Sequence, residues 1–395
     1  MEAALNPYSP GSGLQPPFLA GREGEIEAFD LVVARTELSR PARSMVLTGL
    51  RGVGKTVLLN RLRGIAENHN WLTIRLEGRP GKAGTQEFRK DFARELQIAS
   101  RRFSALKGKE PVLQFLRTVS SFSAGIGITG ISLGVERDPM RGASGSLDID
   151  LRDLVDDVGA AMRSLRKGVA VFIDEMQDLD DETLSAFVTA QHYAGQRELP
   201  FFVVGAGLPN LPGRLAEARS YAERLFQYRP IGKLARNDAE ESFTVPAGRV
   251  GGKFEPSALE RLLKASGHYP YFIQEFGSAL WEVAIDTPFT GEDAEAAVAA
   301  GLRRLDAGFF PSRWDRATPR ERDYMNAMAK DGEGPSGTGE IADRLARKAT
   351  SLGKLRAELV AKGLIYSPEY GQVAFTVPGM ADFIERQNLE LPNSG

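Results

Sequence analysis

The chain has 395 residues, of which 42% are hydrophobic, so it is long enough for two or three domains with apolar cores. Its 50 lysines and arginines nearly balance 52 aspartates and glutamates, and it contains no cysteine. These features exclude disulfide bonds and thiolate metal sites, and the net charge favours neither nucleic acid nor a membrane as partner. Residues 1–13 lack a signal-peptide pattern and the apolar runs have only strand length, so we expect a cytoplasmic protein without a membrane partner.

Residues 1–20 are rich in proline, glycine and serine and predict an extended N-terminal arm. A predicted core at residues 21–234 begins with a helix and then alternates strands with helices. Its apolar strands are predicted at residues 44–48, 71–76, 169–173 and 201–204. This alternation predicts an α/β fold whose parallel sheet is covered by helices on both faces.

Residues 119–148 interrupt the alternation, and we interpret them as an insertion in the core without assigned chemistry. Glycines and small polar residues separate apolar residues there, which is typical of a glycine-rich hairpin. The apolar residues concerned are Ile126, Ile128, Ile131, Leu133 and Val135.

Two further units follow the core. Helical patterns without strands predict a helical unit at residues 235–308. A C-terminal unit at residues 312–388 opens with Thr318-Pro319-Arg320-Glu321, which is a capping-box pattern with proline at the first helical position. Two more helices at 340–346 and 351–362, and two short strands at 364–366 and 373–375, complete the element order of a winged helix-turn-helix.

Residues 49–56, Gly-Leu-Arg-Gly-Val-Gly-Lys-Thr, fit the phosphate-binding pattern G-x-x-x-x-G-K-[ST] between a predicted strand and a predicted helix. Glycines let backbone N–H groups surround an anion, and the helix directs its positive N-terminal end at the same place. Lys55 adds a positive charge for the outer phosphates, and the Thr56 hydroxyl can ligate Mg²⁺. The candidate nucleotide contacts are Gly49, Gly52, Val53, Gly54, Lys55 and Thr56.

Asp174 and Glu175 directly follow the apolar strand at 169–173, so both carboxylates should lie at the carboxyl edge of the sheet, where ligands bind. We expect Asp174 to hold Mg²⁺, directly or through water, and Glu175 to polarise the attacking water as the general base. An acidic pair at a strand end is by itself usually a solvated turn. Its combination with a phosphate loop favours catalysis, and the second carboxylate favours hydrolysis over transfer to a small acceptor.

Gly21-Arg22-Glu23 before the first helix, the phosphate loop, residues 171–175 and the C-terminal element order together resemble an AAA+/STAND-type P-loop ATPase. The nearest branch is similar to the origin-recognition and initiator-like ATPases of archaea and bacteria, over nearly the whole chain except 119–148. The resemblance implies a parallel sheet of the AAA+ type, a helical lid domain at 235–308 and a winged helix-turn-helix at 312–388. It also implies ATP and Mg²⁺ as cofactors.

The same resemblance assigns roles to residues outside the two motifs. It places Gly21 and Arg22 near the adenine, although an ion pair at the helix start is an equal alternative. It makes Arg224 a candidate arginine finger acting on a neighbouring subunit, which implies a homo-oligomer; a structural ion pair is the alternative.

The chain also departs from the family pattern. Residues 266–272 resemble the Gly-x-Pro lid signature of STAND proteins, so Tyr269 and Pro270 are candidate contacts to the base, but no arginine for a second sensor lies there. The strand at 201–204 is followed by glycine and alanine instead of a polar sensor, which leaves Asn210 as the candidate. Both departures imply slow hydrolysis, as in a nucleotide-controlled switch.

The partner of the C-terminal unit stays open between two hypotheses. In the first, residues 312–388 bind double-stranded DNA through basic residues around the third helix. In the second, the unit binds a protein in a signalling switch and the basic residues are merely solvated. A third alternative for the whole chain is a phosphotransferase that uses the same loop, although no acceptor site is evident. The basic residues concerned are Arg344, Arg347, Lys348, Lys354, Arg356 and Lys362.

Overall fold

A computed structural model describes residues 1–11, 13–106, 108–127, 133–136 and 141–390. The core is built on five strands: β1 (Ser44–Thr48), β2 (Leu72–Glu77), β3 (Val169–Asp174), β4 (Phe201–Gly207) and β5 (Phe226–Pro230). They form one parallel sheet in the order β2-β3-β4-β1-β5. Because β4 lies between β1 and β3, the segments that follow β1 and β3 flank the C-terminal end of β4.

Burial along the strands follows their place in the sheet. Every residue of β1 and β4 is buried, whereas the edge strand β2 alternates between buried and more exposed residues. Central parallel strands are covered on both faces, which is why their sequences are continuously apolar. The predicted parallel sheet is therefore confirmed, with β5 as an additional edge strand that the pattern of apolar runs did not indicate.

Eight helices accompany this sheet in the described part of the core. They are α1 (Glu23–Glu37), α2 (Lys55–Asn68), α3 (Gly81–Ser100), α4 (Glu110–Gly125), α5 (Leu147–Ser164), α6 (Asp181–Gln196), α7 (Leu211–Ala218) and α8 (Ala222–Leu225). Phe29 of α1 and Leu58 of α2 pack on one face of the sheet with Phe172. Helices α3 to α6 cover the other face, where Phe92, Phe122 and Phe187 pack together.

The expected hairpin within residues 119–148 is not found in the described part of that segment. Residues 119–125 belong to α4, whose residues Phe115, Val119 and Phe122 are buried at helical spacing. Residues 126–127 and 133–136 contain no strand, and Ile128 and Ile131 lie outside the described residues. The apolar residues before the first glycine follow a helical period, so the start of the segment is helical, while residues 128–132 and 137–140 of the expected hairpin lie outside the described residues.

The helical unit contains α9 (Arg236–Arg249), α10 (Pro256–Ser266), α11 (Pro270–Val283) and α12 (Gly291–Arg304). A π-helical turn (Leu305–Phe309) and the short α13 (Pro311–Trp314) connect it to the C-terminal unit. That unit contains α14 (Pro319–Ala329), α15 (Thr338–Arg344), α16 (Gly353–Ala361) and α17 (Met380–Glu390). Its small antiparallel sheet has the order β6 (Ser336–Gly337), β8 (Gln372–Phe375), β7 (Ile365–Tyr366). No helix within the described ranges is long and apolar enough to cross a membrane.

The capping box predicted at the start of α14 is confirmed. The Thr318 hydroxyl accepts from the Glu321 backbone N–H, and the Glu321 carboxylate accepts from the Thr318 N–H at 2.6 Å. Each side chain therefore satisfies a backbone donor that the first helical turn leaves free.

The N-terminal arm packs across the helical unit. The Tyr8 hydroxyl is buried and donates to the Phe243 carbonyl oxygen at 2.6 Å. A Cβ on Gly277 would lie only 2.6 Å from the Tyr8 ring, so glycine at that position of α11 is what allows the ring to approach. The arm is thus held by specific contacts of α9 and α11.

The helical unit and the C-terminal unit share one continuous hydrophobic core. Phe310 stacks on Phe383 of α17 with ring centroids 5.0 Å apart, and Arg386 forms an ion pair with Asp306 at 2.7 Å. Because buried apolar residues of both units belong to the same core, the two units pack directly against each other.

Candidate functional site

The phosphate loop between β1 and α2 uses its glycines for two different reasons. Gly52 and Gly54 have φ values of +85° and +90°, which side-chain-bearing residues rarely adopt. Gly49 is needed for space, because a Cβ there would lie 2.1 Å from the carbonyl oxygen of Ile231. The loop is therefore fixed both by its own backbone conformation and by the residues that follow β5.

Lys55 lies at the base of this loop and is only 6% exposed. Its ammonium donates to the carbonyl oxygens of Gly49 at 2.9 Å and Leu50 at 2.8 Å. Burial lowers the pKa of Lys55 to about 8, and the carboxylates of Glu175 and Asp174 only partly offset this effect. The charged form is thus incompletely stabilised by the protein, which favours an anion beside it.

Thr56 lies in the first turn of α2, and Asp174 is the last residue of β3. The Thr56 hydroxyl donates to Asp174 Oδ2 at 2.6 Å. Burial raises the pKa of Asp174, while the hydrogen bond from Thr56 acts in the opposite direction. A hydroxyl and a carboxylate are hard oxygen donors of the kind that Mg²⁺ prefers, so this pair fits that ion. Within the described residues there is no cluster of three or more His, Cys, Asp or Glu side chains that would hold a different metal ion.

Glu175 has a left-handed backbone, with φ of 45°, at the point where the chain leaves β3. Such a conformation is costly for a residue with a side chain and is typical of functional turns. Its carboxylate accepts from Arg51 Nη1 at 2.7 Å and from Gln177 Nε2 at 2.6 Å. The candidate base is thus held in place by one residue of the phosphate loop and one of its own turn.

Gln177 is a residue that the sequence reasoning missed. Its Oε1 accepts from the backbone N–H of Leu208 at 3.0 Å, while its amide nitrogen donates to Glu175. A Cβ on Gly207 would lie 2.6 Å from the same Oε1, so the glycine at the end of β4 leaves room for this amide. The space beside the C-terminal end of β4 is thus occupied by the amide of Gln177 from the neighbouring turn.

The phosphate loop and Glu175 line one cavity of about 250 Å³, together with the N-terminal arm, the helical unit and the connection to the C-terminal unit. The backbone N–H of Tyr271, at the start of α11, donates to Gly52 O at 3.2 Å. The backbone N–H of Arg51 donates to Thr376 O, just after β8, at 2.9 Å. Both other units therefore touch the phosphate loop directly.

Arg22 braces the phosphate loop, whereas Gly21 does not line the cavity within the described residues. The Arg22 guanidinium donates to Val53 O at 3.2 Å and to Gly232 O at 2.7 Å. Burial lowers the pKa of Arg22, against the influence of Glu25 and other nearby acidic residues. Gly21 has φ of +65° and no room for a Cβ beside Asp238. Arg22 thus donates to backbone carbonyl oxygens. These contacts are not the ion pair at the helix start that was the alternative to a nucleotide contact.

The remaining candidates are less close to the cavity. Pro270 lines it together with Tyr271, but its described lining does not include Tyr269, Asn210 or Arg224. The Asn210 Oδ1 atom is buried without a hydrogen-bond partner in the described structure. Arg224, on the short α8, is exposed. Arg224 is therefore available to another molecule but does not reach the cavity of its own chain.

Comparison with known proteins supports the fold of the core. Residues 19–204 match the family profile of the AAA ATPase domain, and residues 307–384 match a family described only as a domain of unknown function (DUF8462). No curated protein sequence matches the chain.

The chain also resembles solved structures. The Walker-type ATPase of Pyrococcus abyssi superposes with a TM-score of 0.60 at 18% identity, covering 96% of this chain and 99% of that one. Lower scores are found for the Thermotoga maritima RuvB Holliday junction branch migration motor (0.44, 14% identity, 94% and 96% covered). The Aeropyrum pernix ORC1 protein in complex with DNA scores 0.45 at 15% identity, with 94% of each chain covered. The sheet order, the domain match and the first of these structures establish a P-loop ATPase fold of the AAA+ type.

Proposed function

We propose that the protein binds ATP with Mg²⁺ in this cavity, hydrolyses it slowly and acts as a nucleotide-controlled switch. The observation that carries the proposal is that Lys55, Thr56 and Glu175 line one cavity, with Asp174 held 2.6 Å from the Thr56 hydroxyl. The same cavity is lined by the helical unit and by the connection to the C-terminal unit. A ligand that fills such a cavity changes the free energy of separating its walls. The nucleotide state would then control how the helical and C-terminal units sit on the core.

Each residue has a distinct task in this proposal. The loop N–H groups and Lys55 bind the phosphates, and Thr56 and Asp174 hold Mg²⁺, which when bound neutralises charge on the phosphate oxygens. Glu175 polarises the attacking water. Arg22 keeps the loop in shape through the Val53 carbonyl.

Slow hydrolysis follows from the surroundings of Glu175. Its Oε1 atom already accepts from the charged Arg51 guanidinium, so a water molecule must compete with that donor, whereas Gln177 orients the carboxylate through Oε2. The lining of the cavity includes no polar side chain from the end of β4, as far as the structure describes it. Asn210 as a sensor stays a prediction.

Two substitutions test this proposal. Lys55→Ala should abolish nucleotide binding, because the phosphates lose their closest fixed positive charge. Glu175→Gln should keep Mg-ATP bound and lower phosphate release by about 100-fold or more, since an amide cannot act as a base. Glu77→Gln is a matched control, because Glu77 ends the neighbouring strand opposite Asp174 in the sheet register. Wild-type phosphate release by Glu175→Gln would refute the assignment of the base.

The C-terminal unit is proposed to be a winged helix-turn-helix, as its helices and three-stranded antiparallel sheet suggest. DNA binding is a second candidate function, favoured by a groove of about 570 Å³ lined by Arg320, Lys330 and Arg347. Lys354, at the start of α16, has a side chain that is 90% exposed. The alternative is a STAND-like signalling switch in which this unit binds a protein.

A salt titration of duplex-DNA affinity separates these alternatives. If the groove contacts phosphates, replacing its exposed lining residues Lys330 and Arg347 by alanine in the full chain should flatten the slope of log affinity against log salt by about two. Replacing the exposed core residues Arg61 and Arg94 serves as the control. Absence of DNA binding at about 50 mM salt, with and without ATP, would favour the protein-binding switch.

A further inference from the structure

An arginine from the connection between the helical and C-terminal units lines the same cavity as the phosphate loop. Arg313, on α13, lies there with Lys55 and Glu175. Its position is set by a series of contacts that begins at the loop. Tyr271 donates its backbone N–H to Gly52, the Tyr271 ring stacks on Phe309 at 4.6 Å, and the Arg313 guanidinium lies over Phe309 at 4.1 Å.

The charge of Arg313 is not balanced by an acidic side chain. Its hydrogen bonds go to the carbonyl oxygen of Phe309 and the hydroxyl of Ser312, and no carboxylate of the described residues forms an ion pair with it. Burial, reinforced by the positive charge of Arg51, lowers the pKa of Arg313 to about 10. A half-buried guanidinium without a counter-ion, facing a cavity that already holds Lys55, favours an anionic ligand.

Other charged side chains of the site already form hydrogen bonds within the protein. Arg51 is paired with Glu175, Asp174 accepts from Thr56, and Arg22 donates to loop carbonyls. Arg313 is therefore a positive charge at the cavity to which the proposed ATP site has so far given no role. A guanidinium has the planar fork of donors that matches phosphate oxygens.

We propose that Arg313 contacts the terminal phosphate of bound ATP, and so reports that phosphate to the connection between the helical and C-terminal units. The inference rests on the proposed ATP site. The terminal phosphate is favoured over the others because Arg313 lines the cavity together with Glu175, the candidate base, which has to lie near that phosphate to act on the attacking water.

The test compares the affinity of the full chain for Mg-ATP and Mg-ADP by fluorescent-nucleotide titration. Arg313→Gln, which keeps a polar chain above Phe309, should weaken ATP binding by about 10- to 100-fold and change ADP binding less than about threefold. Arg316→Gln is the matched control, because Arg316 lies three residues on, is exposed and donates to Lys362 O instead. That control should change neither affinity.

The outcomes separate this inference from the proposed function. If the wild-type protein binds neither nucleotide, the ATP site itself is refuted. If it binds both and Arg313→Gln leaves ATP affinity unchanged, or weakens ATP and ADP equally, the contact with the terminal phosphate is refuted. Should Arg313→Gln fail to fold, Arg313→Lys keeps the charge and loses the fork, and the same ATP-selective loss is required of it.

Discussion

Replacing Gly49 by alanine tests whether the phosphate loop is held as tightly as its contacts indicate. The added Cβ would lie 2.1 Å from Ile231 O, about 1 Å closer than an ordinary C···O contact. The Ile231 backbone cannot yield freely, because its N–H donates to Thr48 O at 2.6 Å. Gly49 itself is tied on its other side, where its N–H donates to Gly207 O at 3.1 Å.

The magnitude follows from these contacts. Overpacking a tight site costs about 1–3 kcal/mol, and loss of one backbone hydrogen bond adds about 1 kcal/mol. We therefore expect Gly49→Ala to lower the free energy of unfolding of the core by about 2–4 kcal/mol. Nucleotide affinity should fall as well, since the displaced loop N–H groups no longer converge.

Urea unfolding followed by tryptophan fluorescence, together with nucleotide titration, measures both effects. Gly64→Ala is the control, because Gly64 lies in α2 with nothing within 4 Å of an added Cβ. Alanine favours a helix over glycine by about 1 kcal/mol, so this variant should be slightly more stable and bind nucleotide normally. A Gly49→Ala protein with the wild-type midpoint and affinity would show that the loop is not constrained by Ile231.

Three further predictions concern other parts of the molecule. Arg224→Ala should bind ATP normally but hydrolyse it poorly. If Arg224 acts between subunits, mixing this variant with Glu175→Gln protein should restore ATP hydrolysis. A specific activity of the wild-type protein that does not depend on its concentration would contradict this. Gln177→Ala should lower kcat for ATP hydrolysis about tenfold with little change in KM, because Glu175 loses an orienting donor; an unchanged kcat would remove that role. Burial raises the pKa of Glu321, but hydrogen bonds from Lys362 and the helix cap outweigh it and lower that pKa. The free energy of unfolding should therefore decrease as pH falls below about 4.5, and it should decrease less steeply in Glu321→Gln. Acid titration followed by circular dichroism measures this difference.

The site residues that can be predicted from sequence are those that are adjacent to one another in the chain. Lys55 and Thr56 lie in one short motif, and Asp174 and Glu175 end one apolar strand, so local pattern is enough to expect them at one sheet edge. Their actual approach, 2.6 Å between Thr56 Oγ1 and Asp174 Oδ2, follows from the strand order that places β1 and β3 on either side of β4.

The residues that sequence analysis missed depend on contacts between distant segments. The position of Gln177 at the site depends on Gly207, a residue of a different strand, which leaves space for the Gln177 amide. Arg313 lies 258 positions beyond Lys55 in the numbering, and no local pattern connects a short helix after a π-helical turn to the phosphate loop. The glycine-rich end of the strand at 201–204 gave Asn210 as the candidate sensor but did not indicate that Gln177 lies beside that end.

The shared hydrophobic core of the helical and C-terminal units also affects how the protein can be divided for study. A fragment beginning at residue 312 would lose Phe310, whose ring covers Phe383, and would leave Arg386 without Asp306. Newly exposed aromatic surface of this kind promotes self-association. A fragment meant for binding experiments should therefore keep residues 235–388 together, with no cut between Phe310 and residue 312.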